Sequence, residues 1–358
     1  MSLVGGAIAD SWDRKKIILV SQSLPLAGGV ALGVLTATGQ VAPLHIFVFV
    51  VVLGVAGAFQ NPAQQAMLPQ IVPRESFQKA VTFLTTIQQL AMAMGPTIAG
   101  FAIKFLGIHG AYGVQSVLIL GSVISLALVH PSFERGKVST FSIALIKEGL
   151  QFVRHQRILL GAMLLDMFAV IFGGASALLP IYAQDILKVG PEGYGLLSSA
   201  QNVGASASAL VMLLFPPIRR TGRALMLAVS GFGFLTILFG LSTSLPLSLL
   251  LYGLTGMSDQ VSVVLRQTMI QMSTPDELRG RVSSVNQVFI GASNHLGMVE
   301  SGLVAAISTA TFAVVSGGFA CLATVGIVAW KIPEFLRYEM GGIPTHIKQA
   351  EPVPAKSR

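Results

Sequence analysis

The chain has 358 residues, of which 53% are hydrophobic and only 11% are charged, with a mean hydropathy of +0.74 and a formal net charge of +8. An ordinary soluble domain carries roughly a quarter charged residues, so this composition excludes a soluble globular protein, a disordered chain and a nucleic-acid-binding protein. Cys321 is the only cysteine, which excludes a scaffold held by disulfides within the chain.

Hydrophobic segments follow one another along the sequence, and a membrane-spanning helix needs about 20 apolar residues. Ten segments reach this length: Ile17–Ala37, Pro43–Met67, Gln78–Ile103, Gly110–Val129, Ile158–Ala183, Tyr194–Leu214, Ala224–Leu241, Pro246–Met272, Val282–Ile307 and Thr309–Trp330. They are too long for the strands of a membrane barrel, which have about 10 alternating residues. The sequence therefore predicts an all-α polytopic membrane protein with about ten complete transmembrane helices.

Lysine and arginine are distributed unequally between the predicted loops. One set of loops, together with the C-terminal tail, holds 20 of the 23 basic residues, whereas the alternating loops hold only Lys104 and Lys188. Because basic loops remain in the cytoplasm, the chain is predicted to have a cytoplasmic C-terminus. The positive charge then faces membrane lipids and not a nucleic acid.

An internal repeat relates the two halves of the chain. A shift of 202 residues places the small residues Ala91, Gly95 and Ala99 on Ser293, Gly297 and Ser301 without a gap. The same shift places Gly54, Gln65, Met67, Pro73, Glu75 and Gly100 on Gly256, Gln267, Met269, Pro275, Glu277 and Gly302. Each trio of small residues lines one helix face and permits close approach of another helix.

A parallel repeat of this kind relates the two halves of some transporters. The predicted domains are an incomplete N-terminal helical bundle over 1–129, a cytoplasmic linker over 130–157, a six-helix bundle over 158–331 and a cytoplasmic tail over 332–358. If both halves have six helices, one whole helix and most of another are expected ahead of Met1.

The segment before the first complete helix contains a loop motif, with Gly6, Asp10, Arg14 and Lys15 at its key positions. It resembles the cytoplasmic loop signature of the major facilitator superfamily, G-x-x-x-D-x-x-G-R-R/K, although Asp13 stands where many members have glycine. The resemblance extends from Leu3 to Trp330 and is nearest to the macrolide-efflux and enterobactin-exporter branch. It implies a fold of two helical bundles that alternate access to a central site.

In that family, the aspartate of the loop meets the start of the eleventh helix and helps to close the inner gate. The repeat places this start at 274–277, where Thr274 is predicted as the N-cap residue. A second resemblance is the run Gly95-Pro96-Thr97-Ile98-Ala99-Gly100, which is similar to the end of the G-P-x-x-G-G element in the fifth helix of family antiporters. It implies export by antiport; the alternative is a packing kink at Pro96 that has no bearing on direction.

Ionisable groups within a membrane are expensive and therefore mark candidate functional sites. We predict Asp259, near the membrane midplane, as a proton-coupling residue, with Asp166 and Glu300 as further candidates. The alternative is that Asp259 pairs structurally with a helix terminus, an asparagine or a histidine. Candidates for the substrate cavity are the polar residues Gln88, Gln89, Asn202, Asn294 and His295. For Gln88 and Gln89 the alternative is a role in joining helices by hydrogen bonds, and for His295 it is that of a satisfied hydrogen-bonding group.

The combined prediction is a monomeric secondary transporter in the inner membrane of a bacterium. It would export small amphiphilic molecules of the drug or siderophore type by proton antiport through alternating access. The alternatives are a lysolipid flippase of the same fold and a truncated membrane protein that does not transport. No nucleophile, phosphate-binding or metal-ligand motif is present in the sequence, so neither enzymatic activity nor a cofactor is expected.

Overall fold

The computed structural model describes residues 14–72, 77–128, 150–214, 218–275 and 278–339. The helices are α1 (Arg14–Ala37), α2 (Pro43–Ile71), α3 (Phe77–Leu128), α4 (Arg157–Gly173), α5 (Gly190–Leu214), α6 (Thr221–Leu241), α7 (Leu245–Met272), α8 (Arg279–Ile307), α9 (Ala310–Lys331) and α10 (Pro333–Leu336). No strand occurs within these ranges. The predicted all-α class is confirmed.

The chain divides into two compact units. Unit 1 comprises Met1–Lys147, Ser176–Val203 and Ser242–Gly253, and unit 2 comprises Glu148–Ala175, Gly204–Leu241 and Leu254–Arg358. In unit 1, α1 packs against both α2 and α3. In unit 2, α4 packs against α8 and α9, and α6 packs against α9.

Seven helical segments in the described part of the chain are long and apolar enough to cross a membrane. One of them, Thr86–Leu128, has 43 residues and would be about 65 Å long if straight. That is twice the thickness of a bilayer core of about 30 Å. Ten spans are predicted from the sequence, and two differences account for the count of seven. Helix α3 contains two predicted spans in one segment, and helices α7 and α8 are too polar to be included.

Helix α3 is kinked at Gly107. This residue has φ 72° and ψ 175°, a conformation that only glycine adopts without strain. It divides α3 into a first arm (residues 77–106) and a second arm (residues 108–128), which match the third and fourth predicted spans.

The fifth predicted span, Ile158–Ala183, is not one continuous helix. Helix α4 ends at Gly173, and Gly174 is extended with φ −77° and ψ 103°. Short helical turns follow, from Ser176 to Ile186. The break has a local cause, since adjacent glycines weaken the helix and Pro180 cannot donate a backbone hydrogen bond. Ser301 Oγ donates to the freed Gly174 carbonyl oxygen at 3.1 Å.

The C-terminal helix α10 is part of the core of unit 2. Phe335 is fully buried, and a Cβ added at Gly222 would clash with the Phe335 carbonyl group. Tyr338 extends this contact. The Gly222 amide donates to the Tyr338 carbonyl oxygen at 3.2 Å, and Ser273 Oγ lies 2.9 Å from the Tyr338 hydroxyl. Residues 333–339 therefore hold α6 and α7 together at one end of the unit.

We expect Phe335→Ala to lower the free energy of unfolding by about 3–5 kcal/mol, the range for emptying a buried aromatic position. Phe319→Ala is the matched control, because Phe319 is 60% exposed on α9 and its loss should cost no more than about 0.5 kcal/mol. Thermal unfolding of the purified protein in detergent measures both changes. Equal stability of the two variants would contradict a structural role for α10.

Candidate functional site

A buried charged cluster lies in unit 2, where side chains from α4, α7 and α8 meet. Arg266 Nη2 lies 3.1 Å from Asp166 Oδ1, and their side chains are only 3% and 9% exposed. Arg266 Nη1 donates to Asn286 Oδ1, also at 3.1 Å. Counting 1.5 Å per residue, the cluster lies about 9–14 Å from the helix ends that the loop charges predict to be cytoplasmic.

The Arg266 guanidinium group is incompletely satisfied. Its Nε atom is buried and has no hydrogen-bond partner within the described ranges. A buried donor without a partner costs free energy, and each such group in a folded protein calls for an explanation. The guanidinium group of Arg266 is therefore paired with Asp166, and its Nε remains a donor that a second acceptor could use.

Asp259 supplies a second acid close to this cluster. It precedes Arg266 by seven residues on α7, so that two helical turns separate them on the same face. The carboxylate is near enough for the charges of Asp166 and Arg266 to act on it. It makes no hydrogen bond or ion pair with any residue that the structure describes. The side chain is half-buried.

The structure thus brings Asp166 and Asp259 together but leaves Glu300 elsewhere. Glu300 Oε2 accepts a hydrogen bond of 3.4 Å from Ser301 Oγ. Sequence reasoning missed Arg266 and Asn286, because an arginine six residues from the end of α7 resembles one that extends into the cytoplasm. The spacing of seven residues between Asp259 and Arg266 was the signal that could have identified it.

A second polar contact surface lies in unit 1, between the first arm of α3 and the N-terminal half of α5. Lys104 Nζ lies 2.8 Å from Glu192 Oε1, and Thr97 Oγ1 donates to Ser199 Oγ at 2.7 Å. Asn202 Nδ2 donates to the carbonyl oxygen of Met92 at 2.9 Å. These bonds are spaced by one to two helical turns and join the two helices along about 18 Å.

The antiporter-like element provides the close contact between these helices. A Cβ added at Gly100 would lie 2.5 Å from the Pro191 carbonyl oxygen, and one added at Gly195 would clash with the Pro96 carbonyl group. Gly95 is different, because a Cβ at that position would meet no atom within 4 Å. The element therefore presents Pro96 and Gly100 to α5 and presents Gly95 elsewhere.

Adding a methyl group at Gly195 is expected to destabilise unit 1 by about 1–3 kcal/mol, the usual cost of overpacking. The control is Gly113→Ala on the second arm of α3, where an added Cβ meets no atom within 4 Å and should be neutral or stabilising by up to about 1 kcal/mol. The two melting temperatures in detergent test this expectation. A Gly195→Ala protein as stable as Gly113→Ala would show that the helices do not approach so closely.

The remaining predicted site residues lie at separate positions. Gln88 and Gln89 are exposed on α3, and Asn294 and His295 are exposed on α8. Lys15 of the loop motif donates to the Ala127 carbonyl oxygen at 2.7 Å, which joins the start of α1 to the end of α3.

Other parts of the gating prediction are corrected or lie outside the description. Gly6 and Asp10 lie outside the described residues, and Arg14 is the first residue of α1. The N-cap prediction for Thr274 is wrong: α8 begins at Arg279, and the Thr274 hydroxyl donates to the Ile270 carbonyl oxygen at 2.6 Å. Thr274 therefore completes α7, whose last carbonyl groups need donors.

Comparisons of the sequence with known proteins match a family of membrane transporters. The model of the major facilitator family described as "Transmembrane secretion effector" matches residues 1–343. The enterobactin exporter EntS of Escherichia coli strain K12 is 25% identical over 342 residues, which cover 94% of this chain and 80% of the exporter. EntS of Shigella boydii serotype 18 is 25% identical over 324 residues, covering 89% and 77%.

Solved structures show the same fold. The chain resembles a transporter of the POT family in complex with 5-aminolevulinic acid, with a TM-score of 0.70 and 14% identity over 94% of this chain and 85% of that one. A bacterial homologue of the human lysosomal transporter Spinster, in an inward-facing and unoccupied conformation, gives a TM-score of 0.65 with the same identity and coverage.

Proposed function

Because the chain belongs to the transmembrane secretion effector family of the major facilitator superfamily, we propose that it exports a small amphiphilic molecule across the inner membrane of a bacterium. Similarity to the enterobactin exporters over 94% of the chain supports a substrate of the siderophore type, with drugs as the wider class. The C-terminus is cytoplasmic in this proposal, as the loop charges predict.

The proposed driving reaction is proton antiport, and the charged cluster of unit 2 carries this proposal. With Asp166 paired to Arg266, a protonated Asp259 leaves the cluster electrically neutral. Loss of that proton leaves one negative charge in a membrane-embedded site, where charge is costly without a partner. The two protonation states therefore differ in the contacts that they favour, which is the requirement for coupling to a conformational change.

The unpartnered Nε of Arg266 provides a hydrogen-bond donor for the deprotonated state of Asp259. A deprotonated Asp259 carboxylate can turn towards this donor, whereas a neutral carboxyl group gains less from it. Proton release would then be accompanied by a local rearrangement on α7. This rearrangement would favour one of the two conformations that two helical bundles adopt during alternating access.

The exposed residues Gln88 and Gln89 of α3 are proposed as substrate contacts within unit 1. Asn294 and His295 of α8, also exposed, are separate candidates within unit 2. Asn202 is less available, because its amide group donates to the carbonyl oxygens of Met92 and Ser198. We therefore assign Asn202 to the contact between α3 and α5, and the glutamine pair to the substrate.

Transport in everted membrane vesicles tests the proposal. Export in the cell becomes uptake into such vesicles, and a pH gradient acid inside should drive accumulation of enterobactin or a macrolide. A protonophore should abolish accumulation. Vesicles without the protein are the control, and accumulation that is insensitive to the protonophore would contradict proton coupling.

A further inference from the structure

A groove with apolar walls lies between α4 and α9 in unit 2, and it is called the α4–α9 groove below. Its volume is about 360 Å³. Its lining includes three residues of α4 and three of α9, which are Leu164, Phe168, Phe172, Thr324, Ile327 and Lys331. Phe168 and Ile327 are both exposed, so the groove is open along its length to the surroundings of the helices.

The α4–α9 groove has the depth of one membrane leaflet. Its lining on α4 extends from Gly161 to Phe172, which is about 17 Å of helix, and half of a bilayer core about 30 Å thick is about 15 Å. The two helices meet at the far end, where a Cβ added at Gly317 would clash with the Phe172 carbonyl group. The near end lies where the loop charges predict the cytoplasm, so the groove is predicted to open into the cytoplasmic leaflet.

Two cations lie at the cytoplasmic end of the groove and form its basic rim. Lys331 is a lining residue and is exposed at the end of α9. Arg157, the exposed first residue of α4, precedes Gly161 by four residues and therefore lies one turn further out on the same helix face. Neither side chain makes an ion pair or a hydrogen bond with a residue in the described ranges. Glu334, three residues after Lys331, offsets at most one of the two charges.

Trp330 indicates the depth of the basic rim in the membrane. It directly precedes Lys331 on α9 and is 80% exposed. Tryptophan is enriched at the interface between membrane and water, at the level of the lipid headgroups. The rim therefore lies where lipid phosphate groups are found, and the apolar walls begin where acyl chains begin.

We propose that the α4–α9 groove binds one anionic phospholipid of the cytoplasmic leaflet. Its phosphate group pairs with Arg157 and Lys331, and one acyl chain lies between Phe168 and Ile327. Basic pockets between membrane helices on the cytoplasmic side are typical sites for anionic headgroups. A zwitterionic lipid fits less well, because its own cationic group opposes the rim. The lipid is a resident of the groove and not the transported molecule.

A bound lipid of this kind would connect two elements of the core of unit 2. Helices α4 and α9 pack against each other, and α10 packs against both. The phosphate group would hold the cytoplasmic ends of α4 and α9 together from the membrane side. We therefore expect the lipid to be bound in a defined place and not only as part of the general lipid surface.

Quenching of the fluorescence of Trp330 tests this site in a membrane. The chain has two tryptophans, so Trp12→Phe leaves Trp330, beside the rim, as the only reporter. The protein is reconstituted into vesicles of brominated phosphatidylcholine that contain an increasing fraction of unbrominated phosphatidylglycerol. Bound phosphatidylglycerol displaces the quencher, so fluorescence should recover at low fractions. The expected preference over phosphatidylcholine is about fivefold for each basic residue, the fold-change equivalent to about 1 kcal/mol.

Removing the two cations tests the rim. Arg157→Gln combined with Lys331→Gln should bring the preference close to one, because the apolar walls remain but the charges are lost. Both residues are exposed, so the fold should tolerate the change. The matched control is Arg223→Gln, which removes an exposed cation at the start of α6 that is not among the lining residues. This control should keep the preference of the parent.

Filling the groove distinguishes a seated lipid from one that is attracted by surface charge alone. Thr324→Phe adds a ring inside the groove and leaves both cations in place. The Thr324 hydroxyl donates to the Ala320 carbonyl oxygen of its own helix, so the change breaks no hydrogen bond between helices. The preference for phosphatidylglycerol should fall in this variant. An unchanged preference in a folded Thr324→Phe protein would show that no acyl chain occupies the groove.

Three results with the other proteins would also overturn the proposal. Equal affinity of the parent for the two lipids would show that the site does not select an anionic headgroup. A preference that survives the loss of both Arg157 and Lys331 would place the anionic lipid elsewhere. Fluorescence of Trp330 that brominated lipid does not quench would show that protein, and not lipid, covers this face of α9.

Discussion

Replacing Arg266 with methionine is expected to lower the free energy of unfolding by about 3–5 kcal/mol, the measured range for removing one partner of a buried ion pair. The reason is that Asp166 would remain buried without its cation. The matched control is Arg223→Met, since Arg223 is exposed at the start of α6 and its loss should cost no more than about 0.5 kcal/mol. Thermal unfolding in detergent measures both.

The double variant Asp166→Asn with Arg266→Met distinguishes the loss of the ion pair from the cost of leaving the Asp166 carboxylate without a cation. A neutral pair of similar volume is often as stable as the buried ion pair that it replaces, so most of the lost stability should return. If the double variant is no more stable than Arg266→Met, the destabilisation comes from packing and not from the stranded carboxylate.

Helix positions followed from the sequence wherever a local signal determined them. The bounds of α1, α6 and α9 agree with the predicted spans to within a few residues, because apolar length alone defines a membrane helix. The break after Gly173 was missed for a related reason. Hydropathy stays high through Pro180, and a hydropathy pattern contains no information about backbone hydrogen bonds.

The candidate site was predictable only in part. Asp166 and Asp259 stand out in apolar segments, but their association depends on the approach of α4 to α7 at the Asp166–Arg266 ion pair. These helices are separated by about 100 residues in the sequence. The same limit applies to the antiporter-like element. Its two glycines are alike in the motif, yet Gly100 approaches the α5 backbone while Gly95 lines an apolar groove between the two arms of α3.

Asp259→Asn is expected to reduce proton-driven accumulation in everted vesicles to the background of vesicles without the protein. An asparagine has nearly the volume of aspartic acid but cannot exchange a proton, so the fold should survive while coupling is lost. Asp185→Asn is the control, because Asp185 is an exposed acid in the turns that follow α4. This control should transport as the parent does.

Substrate counterflow distinguishes lost coupling from lost binding. Exchange of labelled for unlabelled substrate needs alternating access but no net proton movement, so Asp259→Asn should retain exchange while active accumulation disappears. Loss of both activities in a stably folded protein would assign Asp259 to substrate binding or to the structure of unit 2. Protonophore-sensitive accumulation by Asp259→Asn would remove it from the coupling reaction and leave Asp166 or Glu300 as the remaining predicted acids.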